Sequence, residues 1–191
     1  MSYSDFWYMS NMDGIGTSHG AKRWWIDVPL HVDTSWRLRK GELTVSELMP
    51  LLVKSAHFVR EDDLPMCTEL LIVSERAKEV LEASCPGNCA FVPINIQGVP
   101  KPLESKYFAV DRVARIDCMD RSKSLGSGPP GRCSYYHVVV DPEKVPPMQN
   151  IFYIADGPFT CVVRDFVREA IVKERLRGPL FYTPWQPSHP R

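Results

Sequence analysis

Cysteine and histidine residues at short, equal spacings are the first candidates for chemistry in this sequence. Cys85 and Cys89 lie four positions apart, and Cys133 and His137 repeat that spacing. Four such side chains could coordinate zinc, although neither pair has the common Cys-x-x-Cys spacing. Reduced, unliganded thiols are the default for cysteines in a chain without an export signal. We therefore predict no metal and no cofactor, with a zinc site and a Cys85–Cys89 disulfide as the alternatives.

A second group of reactive side chains lies between Asp117 and Asp120. Cys118 could act as a nucleophile, but the five histidines are scattered and none is an identifiable partner for it. Proton transfer by Asp117 and Asp120 would require a pocket, and the sequence does not reveal one. The glycine-rich segment that begins at Gly14 neither follows a clear strand nor opens a helix, so a dinucleotide site is not indicated. We predict that the protein is not an enzyme.

The composition limits the class of partner. The 191 residues include 23 lysines and arginines and 23 aspartates and glutamates, which gives a formal net charge of zero. A general nucleic-acid-binding protein would need a basic surface, so we expect no nucleic-acid partner. No apolar run reaches the roughly 18 residues of a membrane span, and the first residues lack the features of a secretory signal. The expectation is a reduced, cytoplasmic protein with one domain over residues 1–191.

Two similar segments, at residues 69–92 and 159–182, organise the chain. They align without a gap at a separation of ninety residues, so that Phe91 matches Phe181. Each has an apolar run, an amphipathic stretch and a second apolar run, which predicts a strand, a helix and a strand. Ser74 is the expected N-cap of the first helix. Chance similarity between two short helices and an ancestral duplication both explain the match.

The remaining residues predict further strands and several loops. Alternating apolar residues in 106–118 indicate a half-buried antiparallel strand, in which Arg112 breaks the pattern. Residues 44–54 are expected to be irregular, and the serine-, glycine- and proline-rich residues 121–133 to be the most flexible segment. Shorter strands are predicted at residues 24–30, 36–40, 90–97, 135–140 and 151–154. The fold class is therefore α+β, a mainly antiparallel twisted sheet with two principal helices and a possible internal duplication.

Three short motifs follow one another in a particular order. A Val-Ser-Glu helix start lies at residues 73–75, an Asp-Cys-Met-Asp segment lies at residues 117–120 with Ser122 after it, and a Val-Asp-Pro-Glu-Lys-Val turn lies at residues 140–145. The second strand–helix–strand segment comes after them. In this order the motifs resemble immunity protein family eleven of the bacterial polymorphic toxin systems. The resemblance covers residues 60–183.

Two departures limit what the resemblance carries over. Arg164 occupies the position of the expected serine at the start of the second helix. The aromatic-rich residues 1–59 and the tail around Trp185 match poorly, so the family implies no contacts there.

The resemblance implies inhibition by binding, with no catalytic residues. Such a protein would stay in the producing cell and occlude a cognate toxin, expected to be a nuclease encoded by an adjacent gene. Tight inhibition needs an interface of about 1,600 Å² with a few aromatic or arginine anchors. Carboxylates would complement a basic nuclease site and speed association. The candidate contact residues are Asp117, Asp120, Glu61, Asp62, Asp63 and Trp185.

Each candidate also has a structural explanation. Asp117 and Asp120 could cap a turn at the end of a strand, and acidic runs such as residues 61–63 are usually solvated surface. Trp24 and Trp25 are further candidate anchors, although core packing is the better interpretation of at least one of them. At the level of function, the alternatives are a cysteine- or zinc-dependent enzyme and a non-catalytic scaffold or regulatory module.

Overall fold

The computed structural model describes residues 6–10, 24–58, 60–65, 67–127, 134–155 and 161–182. Within these residues it has three α-helices and thirteen strands, which confirms the α+β class. The helices are α1 (Val32–Lys40), α2 (Glu75–Ser84) and α3 (Asp165–Lys173). The strands are β1 (Phe6–Ser10), β2 (Trp25–Asp27), β3 (Val53–His57), β4 (Ile72–Ser74), β5 (Ala90–Ile94), β6 (Ile96–Gln97), β7 (Tyr107–Asp111), β8 (Arg115–Ile116), β9 (Leu125–Ser127), β10 (Ser134–His137), β11 (Ile151–Ile154), β12 (Cys161–Arg164) and β13 (Leu180–Tyr182).

The strands form four sheets within the described residues. The largest has the order β13-β1-β12-β11-β8, and two three-stranded sheets have the orders β2-β3-β6 and β4-β7-β5. β9 and β10 form a separate pair. Neighbouring strands are antiparallel, except that β8 runs parallel to β11 and β6 runs parallel to β3. The mainly antiparallel arrangement that the sequence predicts is therefore present.

Both predicted strand–helix–strand units are present. The first consists of β4, α2 and β5, and the second of β12, α3 and β13. Ala77 and Leu81 are buried on α2, and Val167 and Ile171, ninety positions later, are buried on α3. Ser74 caps α2 as predicted, because its Oγ accepts the backbone N–H of Ala77 at 3.2 Å.

The resemblance between the two units extends to a third strand in each. β7 lies between β4 and β5, and β1 lies between β12 and β13, antiparallel to both neighbours in each case. The registers agree residue by residue, so that the pairs Val73–Phe108 and Phe91–Val110 correspond to Val163–Trp7 and Phe181–Met9. The chain therefore contains two copies of one four-element unit. In the second copy, the central strand comes from the other end of the chain.

The same correspondence holds for contacts between helix and sheet. Lys78 of α2 lies over the ring of Phe108, 5.3 Å from its centroid, and Arg168 of α3 lies over the ring of Trp7 at 4.3 Å. Both pairs occupy equivalent positions in the two units. A cation over an exposed aromatic face contributes about 0.5–1 kcal/mol. The two units thus share topology, register and a surface contact.

Apolar side chains bury both faces of the central strands. One buried cluster contains residues of both units, among them Val73 and Val163. The opposite face of β4 and β7 packs on a cluster around Trp24, and the opposite face of β1 and β12 packs on a cluster around Phe152. α2 and α3 also contact each other. Neither unit could bury its apolar faces alone, which is why the two copies form one packed body.

A third helix replaces one predicted strand. The prediction of a strand at residues 36–40 is wrong, because these residues form the second half of α1. Asp33 lies in the first turn, three basic residues lie in the last turn, and Gly41 follows with a φ of 74°. The charges at both ends favour the helix dipole, and Gly41 supplies the left-handed residue that ends many helices. Together these helix signals outweigh the strand signal of the local alternation of apolar and polar side chains.

Several predicted strands are shorter than expected or divided. The strand predicted at residues 106–118 ends as β7 at Asp111 and resumes as β8, because Arg112 has a φ of 56° and turns the chain. Residues 90–97 likewise divide into β5 and β6. Only β2 forms within 24–30, β10 ends at His137, and residues 44–54 contain a 3-10 helix at Ser46–Leu48. The strand at 151–154 is confirmed as β11, whereas residues 128–133 of the predicted flexible segment lie outside the described residues.

Candidate partner-binding surface

The two family motifs that follow β8 lie side by side. Met119 forms a bridge with Val140, the N–H of Asp120 donates to the carbonyl of Val139 at 2.8 Å, and the N–H of Asp141 donates to the carbonyl of Cys118 at 2.7 Å. Cys118 and Met119 are buried between the two aspartates of the first motif. Asp117 is exposed and Asp120 is partly buried, so the two aspartates flank this buried pair on the side nearer to solvent.

Asp120 is the cap of a turn, as the structural explanation of this residue predicts. Its carboxylate accepts the hydroxyl of Ser122 at 2.6 Å and the backbone N–H of Ser122 at 3.1 Å, and it lies 2.8 Å from the ammonium of Lys123. Bonds from Lys123 and then Ser122 lower the pKa of Asp120 to about 2. Asp117 differs, because its side chain is 61% exposed and lies 3.1 Å from Arg121. Asp117 is thus the more accessible of the two.

The acidic run at residues 61–63 is mostly inside the protein. Asp62 is 2% exposed and accepts the backbone N–H of Trp24 at 3.3 Å, while Asp63 is 9% exposed and accepts the hydroxyl of Ser74 at 2.7 Å. The expectation that this run is solvated surface is wrong for these two residues. Buried carboxylates need hydrogen-bond partners, and backbone N–H groups of loops supply them here. Glu61 is half-buried and accepts the N–H of Glu104.

The tryptophans divide between core and surface. Trp24 is fully buried, and its indole N–H donates to Ser55 Oγ at 2.9 Å. The prediction that at least one member of the Trp24–Trp25 pair packs in the core is confirmed, while Trp25 is partly exposed. Trp185 lies outside the described residues.

An exposed tryptophan that the sequence analysis did not single out lies on α1. Trp36 is 58% exposed, and the ammonium of Lys40 lies 5.3 Å from its ring centroid. Tryptophan is enriched among the residues that dominate binding energies at protein interfaces. The capping and charge signals of α1 could have predicted this helix, and Trp36 would then have been assigned to a helix and not to a strand. Its exposure could not be inferred, because the partners of α1 are distant in sequence.

The cysteines show the features of structural thiols. Burial raises the pKa of Cys118 and of Cys85 to about 12, and burial raises the pKa of Cys89 to about 11. Thiols with such pKa values are protonated at neutral pH, whereas nucleophiles and metal ligands act as thiolates. Within the described residues, no group of three or more potential ligands could hold a metal ion. Cys133 lies outside those residues, and the side chain of His137 is not described.

A cavity of about 280 Å³ separates the end of α1 from β7. Asp111, Arg112 and Arg115 are its charged lining residues. Asp111 accepts the N–H of Val45 at 2.8 Å, and Arg115 donates to the carbonyl of Leu38 at 3.0 Å. These bonds join the walls of the cavity. They also occupy the carboxylate of Asp111 and the guanidinium of Arg115, the charged groups that a reaction in the cavity would use.

Comparison with known proteins identifies the family. In the part of the chain that the structure describes, each helix is too short or too polar to cross a membrane. No curated protein matches the chain. The model of the Immunity protein family (Imm11) matches residues 11–184, which extends further towards the N-terminus than the motifs alone indicate. This match spans more than half of the sequence, and the chain belongs to the Imm11 immunity protein family.

Proposed function

We propose that the protein neutralises a cognate bacterial toxin by direct, stoichiometric binding, as a cytoplasmic, single-domain inhibitor without catalytic activity. Membership of the immunity protein family carries this proposal. The chemistry of the described side chains supports it, because four of the five described thiols are buried and Asp62, Asp63 and Asp111 bond to other segments of the same chain. Buried and hydrogen-bonded groups of this kind stabilise the fold and so keep its surface in one conformation.

The experiment that tests this function is co-expression with the toxin, which we expect an adjacent gene to encode. Cells that make the toxin should survive when this protein is present, and the two proteins should co-purify in a 1:1 complex. Equal killing with and without the protein would disprove the proposal.

We further propose that the toxin is a nuclease and that Asp117 faces its basic active site. Among the six candidate contacts, Asp117 has an exposed carboxylate that can be exchanged without breaking a described turn. Asp117→Lys should weaken binding and flatten its dependence on salt, because an attraction that salt weakens is replaced by a repulsion that salt relieves. Glu79→Lys, the same charge change at an exposed site on α2, is the matched control. Equal binding by both variants would remove Asp117 from the interface.

A further inference from the structure

A loop with outward apolar side chains joins the second family motif to β11. This loop, residues 146–150, follows the buried Val145 and precedes the buried Ile151. Pro146, Pro147 and Met148 are all exposed, and Met148 reaches 76%. Three consecutive exposed apolar residues serve no purpose in a core, and such runs are unfavourable unless they have a function.

The backbone of the 146–150 loop is held from two sides by polar side chains. On the side of α2, the amide of Asn88 donates to the carbonyl of Met148 at 3.1 Å, and the amide of Asn150 donates to the carbonyl of Ser84 at 3.2 Å. The N–H of Asn150 also donates to the side-chain oxygen of Asn88 at 2.7 Å.

On the side of β12, the buried Arg164 holds the other part of the loop. Its guanidinium donates to the carbonyl of Gln149 at 3.0 Å and to the carbonyl of Pro146 at 3.1 Å. At the equivalent position of the first unit, Ser74 caps a helix, whereas Arg164 makes no side-chain cap to α3. The second unit thus differs from the first at this position, because the side chain of Arg164 binds the 146–150 loop and does not cap the following helix.

The consequence is a reversal of the usual arrangement of polar and apolar groups. Polar side chains in and around the loop bond inward to backbone carbonyls, and the apolar side chains point outward. A loop fixed in this way loses little conformational entropy on binding, which is the advantage of a preorganised contact. Methionine is unbranched and polarisable, so it fits apolar sockets of irregular shape. The exposed Glu143 and Lys144 lie just before the loop and supply the polar rim that such contacts have.

We propose that the 146–150 loop is a docking element, in which Met148 inserts into an apolar socket on the toxin. This inference rests on the proposed function, because the toxin is the protein partner that the family implies. It places the centre of the interface on an apolar anchor, with charged residues such as Asp117 contributing at other points of the contact.

The test measures the affinity of the purified chain for a catalytically inactive form of the toxin from the adjacent gene. Met148→Glu should weaken binding at least about 30-fold, because a charge would enter the socket. Met148→Leu should stay within about threefold of the wild type, since it preserves the apolar volume. Val172→Glu is the matched control, because Val172 is 55% exposed on α3, and it should also change binding less than about threefold. All three variants should keep the thermal midpoint of the wild type.

The outcomes separate the two proposals. If the wild type does not bind the toxin, the proposed function fails and this inference fails with it. If the wild type binds and Met148→Glu binds equally well, the docking element is wrong while the function stands. Equal losses in Met148→Glu and Val172→Glu would also overturn the docking element. The same holds if Met148→Glu dissociates a dimer of this chain while toxin binding is unchanged, because the loop would then contact a second copy.

Discussion

Buried carboxylates fasten loops to strands in this protein. Asp63 accepts the hydroxyl of Ser74 and the N–H of Arg177 at 2.9 Å, so one side chain joins β4 to the segment after α3. Asp111 acts in the same way at the end of β7, where it accepts the N–H of Val45 and the hydroxyl of Ser46 at 2.7 Å. Hydrogen bonds to a charged group contribute about 1.5–3 kcal/mol. These residues therefore belong to the framework that carries the proposed binding surface.

Asp111→Ala is expected to lower the free energy of unfolding by about 3 kcal/mol, because three loop donors, the N–H of Val45 and the N–H and hydroxyl of Ser46, lose their partner. Burial raises the pKa of Asp111, but bonds from Ser46, Val45 and Arg112 outweigh burial and hold this pKa below its usual 3.8. A carboxyl with a lowered folded-state pKa stabilises the fold above the unfolded pKa, and this contribution disappears as the pH falls through the folded pKa.

Urea unfolding at several pH values checks this prediction. The difference between wild type and Asp111→Ala should be constant near neutrality and should shrink below about pH 3.8. Glu79→Ala, at an exposed site, should cost less than about 0.5 kcal/mol. A difference that persists unchanged to pH 2.5 would show that the charge of Asp111 does not stabilise the fold.

At the scale of elements, the segment after each repeated helix contains a glycine with a positive φ, and only one of these glycines is sterically confined. Gly178 follows α3 with a φ of 115°, and a Cβ there would lie 2.1 Å from the carbonyl oxygen of Leu64. Gly87 follows α2 with a φ of 74° and open space around it.

Gly178→Ala should therefore lower the free energy of unfolding by about 3 kcal/mol or more. The backbone of Leu64 would have to move, and the alanine would also have to adopt a strained φ. Gly87→Ala should cost about 1–2 kcal/mol, the strain alone. Chemical denaturation of both variants gives the comparison. Equal effects would mean that the contact with Leu64 is relieved without cost.

The elements that sequence reasoning predicted best carry their signals locally. α2 is capped by Ser74 and has its buried residues four positions apart, and α3 repeats that spacing, so both helices could be predicted. The pairing of β1 could not, because its register is set by strands more than 150 residues away. The same reason explains Asp62 and Asp63, whose donors come from distant loops. For the candidate surface, the family motifs could be recognised in the sequence, while the exposure of Trp36 and Met148 depends on packing that no local pattern encodes.

At the scale of the whole molecule, β1 is an interior strand of the largest sheet, with β12 on one side and β13 on the other. It also buries Phe6 and Met9 in two different clusters. Each such side chain contributes about 1.5–3 kcal/mol by burial. The family match begins at residue 11, so boundaries chosen from it would remove this strand.

A chain that begins at residue 11 is expected to lose cooperative folding, because two strands lose their common partner and two clusters lose a member. Circular dichroism with thermal unfolding, in parallel with the full chain, checks this. A cooperative transition at the midpoint of the full chain would contradict it.

The position of β1 also sets when the molecule can become complete. Phe6 pairs with Arg164, so β1 waits on the ribosome for a partner made 158 residues later (164 − 6). At 5–20 residues per second, this wait is roughly 10–30 s. If a ribosome stalls before it makes β12, β1 has no partner strand and is open to proteolysis. Cells should therefore accumulate the folded protein only from messages translated through β13, which makes the supply of this immunity protein sensitive to truncated translation.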